Sequence, residues 1–526
     1  MDRRQTRFLI IVASLVILFI AVLALMDLTS RQTIPARTPP VEETYPTDRA
    51  TTPAGKTPLP TQSRTATASP LAATPVPSNT VPQPSATPTP QTAYFVSPDG
   101  SPSNDGSKAR PWSLQYVLDG PEEIQPGSTV WLLGGTYMGP FASNIDGREG
   151  APVNIRAVPG ERVTLTSDTL VIDIQESSYV NFWGIEITAV ENLRDPIDRE
   201  RSAYGVRVHQ AKQSHNIKFI NVIVHDMPAQ GFGWWQANFD SEIYGSLIYY
   251  NGASHFDHGI YVHNTEGRKS IIDNFIYDNA SHGIHAYGEK DYPELNNLYI
   301  EGNTIFNNGS IGWTETKKKY GIFKRNILVG GYFVAESPVI LNNYTYFPGS
   351  SGESLNLGYR AGSKDAIVEN NYFAGGRVAL GGQNTGIAML QNTILGFSLP
   401  DLSLAQNEFV LVKPADAKIF VRPNQYEPGR ANVTIYNWAK TPTVTLTAED
   451  LKEVGIQKGD QYELRNVQDY FSDILTGTYD GEKIEVPMTA HTVAQPLGLN
   501  FKPPSTFPEF GAFVLLVTSN QQAVVP

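Results

Sequence analysis

Gly205-Val-Arg-Val-His209, Gly231-Phe-Gly-Trp-Trp235, Gly259-Ile-Tyr-Val-His263 and Gly283-Ile-His-Ala-Tyr287 align on their glycines without a gap. Their second and fourth positions are apolar throughout: Val206/Val208, Phe232/Trp234, Ile260/Val262 and Ile284/Ala286. Alternation of this kind predicts strands with one buried face. The third and fifth positions are then predicted on the opposite, outward face, and they hold Arg207, His209, Trp235, Tyr261, His263, His285 and Tyr287. Eight of the nine histidines lie between His209 and His285. An even scatter would place about one there, so composition points to a site in the same window.

Outward from these segments, asparagines recur before apolar triplets: Asn221-Val-Ile-Val, Asn274-Phe-Ile-Tyr, Asn303-Thr-Ile-Phe, Asn326-Ile-Leu-Val, Asn371-Tyr-Phe-Ala and Asn392-Thr-Ile-Leu. Upstream, Val153-Asn-Ile155, Val163-Thr-Leu165 and Trp183-Gly-Ile-Glu-Ile187 carry the same pattern. Short strands with turn residues at a recurring period describe a solenoid in which each coil covers its neighbour's core. Asparagines stacked in one column are expected to hydrogen-bond along the axis and satisfy turn backbone groups. Near Gln406 the period stops. Short strands separated by Pro/Gly turns follow, among them Asn432-Val-Thr-Ile-Tyr436 and Phe513-Val-Leu-Leu-Val517. They predict a β-sandwich of roughly a hundred residues. Its Asn437-Trp438 and Tyr426 are read either as a carbohydrate platform or as packing against the solenoid.

The N-terminal part reads differently. Phe8 to Met26 is an unbroken apolar run of bilayer-spanning length, preceded by Arg3, Arg4 and Arg7. It predicts a single-pass anchor with its N-terminus in the cytoplasm and the bulk of the chain outside. A signal peptide cleaved at Val22-Leu-Ala24 is the alternative. Thr29 to Thr92 is Pro, Thr, Ser and Ala with almost no large apolar residue, and predicts a disordered, extended stalk. The expected organisation is therefore 1–28 tip and anchor, 29–92 stalk, 93–406 solenoid and 407–526 sandwich. No cysteine is present, which excludes disulfides and thiolate metal sites. A net charge of −12 argues against nucleic acid as a partner.

Tyr94-Phe-Val-Ser-Pro-Asp-Gly-Ser, Asn104-Asp-Gly-Ser-Lys-Ala-Arg-Pro-Trp112, Pro126-Gly-Ser-Thr-Val130 and Gly134-Gly-Thr-Tyr137 resemble the opening of right-handed parallel β-helix proteins. That family includes pectate lyases, alginate lyases, chondroitin-degrading lyases and mannuronan epimerases. His258-Gly-Ile-Tyr and His282-Gly-Ile-His resemble the repeats of the mannuronan epimerases. The implied fold is all-β: a right-handed parallel β-helix followed by the sandwich. The implied chemistry on a uronate polymer neutralises the substrate carboxylate, removes the proton beside it with a base and supplies a proton from an acid.

Stacked coils turn the alignment into rough coordinates, since adjacent parallel strands lie about 4.8 Å apart. Tyr261 and His285 share a column on adjacent coils. His209, Trp235, His263 and Tyr287 form the other, with His209 and His263 roughly 10 Å apart. Under the resemblance, Arg207 neutralises, His263 or His285 is the base, Tyr261 is the acid, and His209 flanks the sugar. Trp235 stacks on the sugar, and Tyr287, Asn264, His258 and Asp257 line its site. The four histidines and Asp257 between Ser254 and His282 also suit a transition metal, but match no standard ligand spacing. No cofactor is assigned, and calcium or a transition metal stays open. Two other classes compete. A glycoside hydrolase would draw two carboxylates from Asp226, Asp240, Asp257 and Glu289. A noncatalytic surface protein would grip polysaccharide with the aromatics alone. A monomer is expected.

Overall fold

The computed structural model describes residues 93–190, 203–208, 213–291, 294–311, 323–349, 352–396, 406–500 and 502–518. The expected anchor, the stalk to Thr92 and His209 lie outside the described residues. Among the described residues, no helix is long and apolar enough to cross a membrane.

Three long sheets of 12, 9 and 11 strands run through the described residues. In each, neighbouring strands come from successive coils and pair in parallel, as Phe232–Trp234, Ile260–Val262 and Ile284–Gly288 do. One coil is Ile260–Val262, Lys269–Ile272 and Phe275–Tyr277, a strand for each sheet. Its Ile260, Val262, Ile271 and Ile276 are 0% exposed and fill the lumen with their counterparts above and below. Each such side chain contributes about 1.5–3 kcal/mol by leaving water. The segment glycines have a separate cause. A Cβ on Gly231 would lie 2.6 Å from the Gly259 carbonyl oxygen, and one on Gly259 2.8 Å from that of Gly283. Only glycine lets one coil's backbone pass so close to the next.

The asparagines form two columns rather than the single one expected. Asn274, Asn303, Asn343, Asn371, Asn392 and Asn407 form one, each Oδ1 from Asn303 onward accepting from the amide of the preceding asparagine. Asn251, Asn279, Asn308 and Asn326 form the other. Asn326 therefore leaves the column expected for it, and Asn221 is in neither, its Oδ1 accepting from Asn424 at 2.7 Å. The reason is that two corners of the coil turn where water does not reach. The backbone N–H of Asn303 is satisfied by Asn343 at one corner, and that of Asn279 by Asn308 at the other.

The third sheet continues past Gln406, because Glu408–Val410 pairs with Thr393–Leu395. Beyond it lies a five-stranded antiparallel sheet and a two-stranded sheet. The strand Phe510–Val517 alternates between two partners. Phe510, Ala512 and Val514 pack on Tyr249, Tyr277, Phe306 and Tyr346 of the solenoid. Phe513, Leu515 and Val517 pack on Val444, Leu446, Ile484 and Val486 of the two-stranded sheet. The five-stranded sheet thus has the solenoid on one face and the two-stranded sheet on the other. The aromatics proposed as a platform join this interface. Trp438 Nε1 donates to the Tyr372 hydroxyl at 3.1 Å, and the Tyr426 ring meets Trp183 and Tyr244 edge-on.

Candidate functional site

The nine-stranded sheet carries the four glycine segments. Its register runs Asp173, Arg207, Gly233, Tyr261, His285 and Leu328 in one column. Tyr261 and His285 are neighbours as expected, with ring centroids 5.2 Å apart. Trp235 lies 5.0 Å from Tyr261 and 5.4 Å from His263, and His285 lies 4.9 Å from Tyr287. The aromatic strip is therefore continuous.

It is not the solvated strip that alternation implied. Tyr261, His263, His285 and Tyr287 are 0% exposed, while Trp235 is half-buried. A second layer of side chains lies over them. His258 is 5.7 Å from Tyr261, Tyr359 is 6.3 Å from Tyr287, and the Arg360 guanidinium is 5.9 Å from the Tyr287 ring. Behind the strip, the buried Lys269 ammonium donates to the carbonyls of Trp234, Trp235 and His263, tying the ends of two adjacent strands together.

Several expected roles change. Arg207 Nε and Nη2 donate to the two oxygens of Asp173 at 3.1 and 2.9 Å, so its fork is already filled by a carboxylate one coil away. Asp257 accepts from the backbone of Ala253 and Ser254, and Asn264 donates to the carbonyls of Gly267 and Asn296; both hold turns. His258 is 0% exposed. The Tyr261 hydroxyl donates to Glu289. The histidine window also divides. His215 stacks on Phe239 in the 12-stranded sheet, and His225 belongs to the 11-stranded sheet.

His258, His282 and His285 come together. His282 Nδ1 is 3.1 Å from His258 Nδ1, and His285 Nδ1 is 2.8 Å from His258 Nε2. Burial first, then neighbouring histidines and Arg325, push all three well below the usual imidazole pKa. One nitrogen from each lies within 4.8 Å of the others, and they are the one group with metal-ligand spacing among the described residues. The set differs from the expected one by including His285 and omitting Asp257. His258 turns its two nitrogens to two different neighbours, so the rings form a hydrogen-bonded chain rather than point at one centre.

Alternation in the four segments did not reveal Arg325, Glu353, Tyr359 and Arg360. Arg325 Nε donates to Glu353 at 2.6 Å, and Arg377 meets the other oxygen of that carboxylate. Arg360 ends the strand Glu353–Arg360, whose pairing shifts register between Val329 and Gly330. That bulge breaks the spacing that located the earlier segments.

A second polar cluster lies on the 11-stranded sheet, at a cleft of about 600 Å³ lined by Arg162, Glu186, His225, Asp226, Gln495 and Leu497. His225 bonds Asp226 at 2.8 Å and Glu186 at 3.0 Å. Glu186 also accepts both Nε and Nη2 of Arg162, at 2.6 and 2.5 Å. Burial works against the charged forms, yet these contacts raise the His225 pKa to about 9 and lower that of Glu186 to about 2. Asp226 accepts the Leu497 N–H at 2.7 Å. The charges satisfy one another and tether the C-terminal segment.

The described geometry agrees with what the chain is similar to. Residues 163–327 match the family model described as "Right handed beta helix region". "Uncharacterized protein YwoF" of Bacillus subtilis (strain 168) is 24% identical over 146 residues, 26% of this chain and 31% of that one. The chain thus spans about a third of the curated relative's length. Among solved structures, pectate lyase Pel9A is 16% identical, covering 56% of this chain and 78% of that one, with a TM-score of 0.38. The alginate lyase from Paenibacillus sp. str. FPU-7 is 17% identical, covering 52% and 96%, with a TM-score of 0.32. XylC in complex with xylose is 10% identical, covering 78% and 99%, with a TM-score of 0.38. Residues 163–327, the stretch similar to the right-handed β-helix model, lie within the three parallel sheets that stack coil on coil.

Proposed function

We propose that this protein is an extracytoplasmic, polysaccharide-active enzyme, a lyase or epimerase acting on a uronate-containing polymer. Phe8–Met26 would hold it at the membrane, with the Pro/Thr tract as spacer. The observation that carries the reading is Arg360. Its guanidinium packs over Tyr332 at 4.3 Å and Tyr359 at 5.6 Å. Its Nε is buried with no hydrogen-bond partner among the described residues. Arg207, Arg325 and Arg377 all meet carboxylates, whereas the groups interacting with Arg360 are tyrosines. Lys290 lies 4.9 Å from the same Tyr332 ring. Two cations on an aromatic floor suit a sugar bearing a carboxylate.

Arg360 thereby takes the neutralising role first given to Arg207. His263 or His285 handles the proton beside the carboxylate, Tyr261 supplies the acid and Trp235 stacks on a ring. Hydrolysis needs two available carboxylates. Those on this face, Asp173 and Glu289, are engaged by Arg207 and Tyr261.

Incubating the full chain with a panel of uronate polymers tests the reading. A lyase makes products with a conjugated double bond absorbing in the near ultraviolet. An epimerase exchanges the proton beside the carboxylate with solvent deuterium. Reducing ends without either signal would make it a hydrolase, and binding without turnover a surface adhesin. Protease treatment of intact cells should release the part beyond Thr92, and its protection would overturn the topology.

A further inference from the structure

We infer that Arg325, His282 and His258 lock His285 in the tautomer with its proton on Nε2, so that His285 acts as a neutral hydrogen-bond donor and not as the base. The inference rests on the preceding reading only for what His285 donates to. Its direction comes from two groups that can donate and cannot accept.

Arg325 Nη1 lies 3.1 Å from His282 Nε2. A guanidinium has no acceptor, so His282 Nε2 accepts and the neutral ring carries its proton on Nδ1. That Nδ1–H faces His258 Nδ1 at 3.1 Å and Ser281 Oγ at 2.8 Å. The backbone N–H of His282 also points at His258 Nδ1, at 3.3 Å. His258 Nδ1 therefore accepts, and its proton is on Nε2, 2.8 Å from His285 Nδ1. His285 Nδ1 must accept in turn, which leaves its own proton on Nε2. The backbone donor alone settles His258 and His285, and Arg325 extends the order to His282.

The chain is consistent only if every ring is neutral, since a cationic ring would set two N–H groups face to face. Burial favours neutrality in all three rings. The Glu353 carboxylate is held by Arg325 and Arg377 and orients Arg325, which meets His282. The resting ring thus opposes proton uptake at Nε2. Taking a proton there in exchange would reverse every bond and set His282 Nε2–H against Arg325. A neutral imidazole N–H instead offers a donor to a substrate oxygen that gains negative charge, with no prior titration. The base is then His263, whose ring is 5.0 Å from Tyr261. Arg325, His282 and His258 are positioning residues.

The test is long-range proton–nitrogen correlation on the unliganded full chain labelled with ¹⁵N-histidine, near pH 7. Resonances are assigned by substitution. The expected result is His282 protonated on Nδ1, and His258 and His285 on Nε2. His258→Gln should keep His285 as it is, because the amide accepts from His282 and donates to His285. His258→Leu should release it to a tautomer mixture. Should His258→Leu fail to fold, the parent and His258→Gln spectra still decide. His285 protonated on Nδ1, or cationic, overturns the inference. So does one equivalent of zinc or copper retained through dialysis by the parent and lost from His258→Gln. No polymer enters the measurement. The stated tautomers in a chain that processes no polymer leave this inference standing and remove the functional reading. A processed polymer with His285 protonated on Nδ1 does the reverse.

Discussion

His225 and His285 are both buried imidazoles on the same solenoid, yet they are held in opposite charge states. Burial disfavours the cation in each. His225 sits between two carboxylates, Asp226 and Glu186, and these raise its pKa to about 9. The groups acting on His285 are His258, Arg325, His263 and Arg360, which lower its pKa further rather than offset burial. The desolvation cost is common to both sites, and the neighbours alone decide the outcome. A charged histidine here is a tether between coils and C-terminal segment.

The strongest way to break this contrast is to remove each ring. His225→Leu leaves Glu186 and Asp226 buried without their shared cation and should cost about 3–5 kcal/mol. His285→Leu removes a neutral ring from its hydrogen bond with His258 and should cost about 1–2 kcal/mol. Urea unfolding of the two variants checks the order, and equal losses would end the comparison.

The second test is pH. The folded pKa of His225 lies above its unfolded value, so its contribution is full below about pH 6.5 and is lost as pH rises through about 9. At roughly 1.4 kcal/mol per unit, the loss is on the order of 3–4 kcal/mol. Glu186 has its pKa lowered to about 2, so its contribution is present above its unfolded value and disappears as pH falls through about 2. For His258, His282 and His285 the folded pKa is lowered. Their contribution is present above the ordinary imidazole value and declines as pH falls below it. Thermal midpoints should therefore peak near about pH 6.5, falling below it as the three neutral histidines lose their contribution and falling toward about pH 9 as His225 does. The alkaline edge should be absent in His225→Leu.

Neutral groups sharpen the same point. Asn343→Ala breaks the middle of an asparagine column, removing the acceptor of the Asn303 backbone N–H and one of the acceptors of its amide, and should cost about 1–3 kcal/mol. Asn407 ends that column and is half-buried, so Asn407→Ala should cost less. Calorimetry compares the two. The smallest expected effect contrasts two arginines. Arg360→Met should weaken binding of an anionic polymer about tenfold, about 1.4 kcal/mol, and flatten its salt dependence. Arg207→Met, whose partner is Asp173, should leave binding nearly unchanged and lower stability instead. Titration at two salt concentrations distinguishes them.

Much of this was legible in the chain. Val206/Val208, Ile260/Val262 and Ile284/Ala286 point into the lumen as their alternation requires, and Tyr261 meets His285 at the predicted register. These are local facts, because a strand's two faces follow from the pleat and a coil's neighbour from the repeat. The clustering of histidines misled in part. His215 and His225 lie in the same stretch of sequence but on different sheets, since one coil turns two corners between them and the site sheet.

The sequence by itself determined the solenoid, its lumen and the register that sets Tyr261 beside His285, because each depends on spacing within a repeat. Only the tertiary structure decided that this pair is buried, that Asp173 claims Arg207, and that Arg360 lies over its aromatic floor. Those outcomes depend on side chains meeting across coils and past a register shift, and such contacts carry no periodic signal. The same holds for charge. A histidine's place in the repeat says which face it occupies, while its protonation depends on which carboxylates or arginines the folded chain brings beside it.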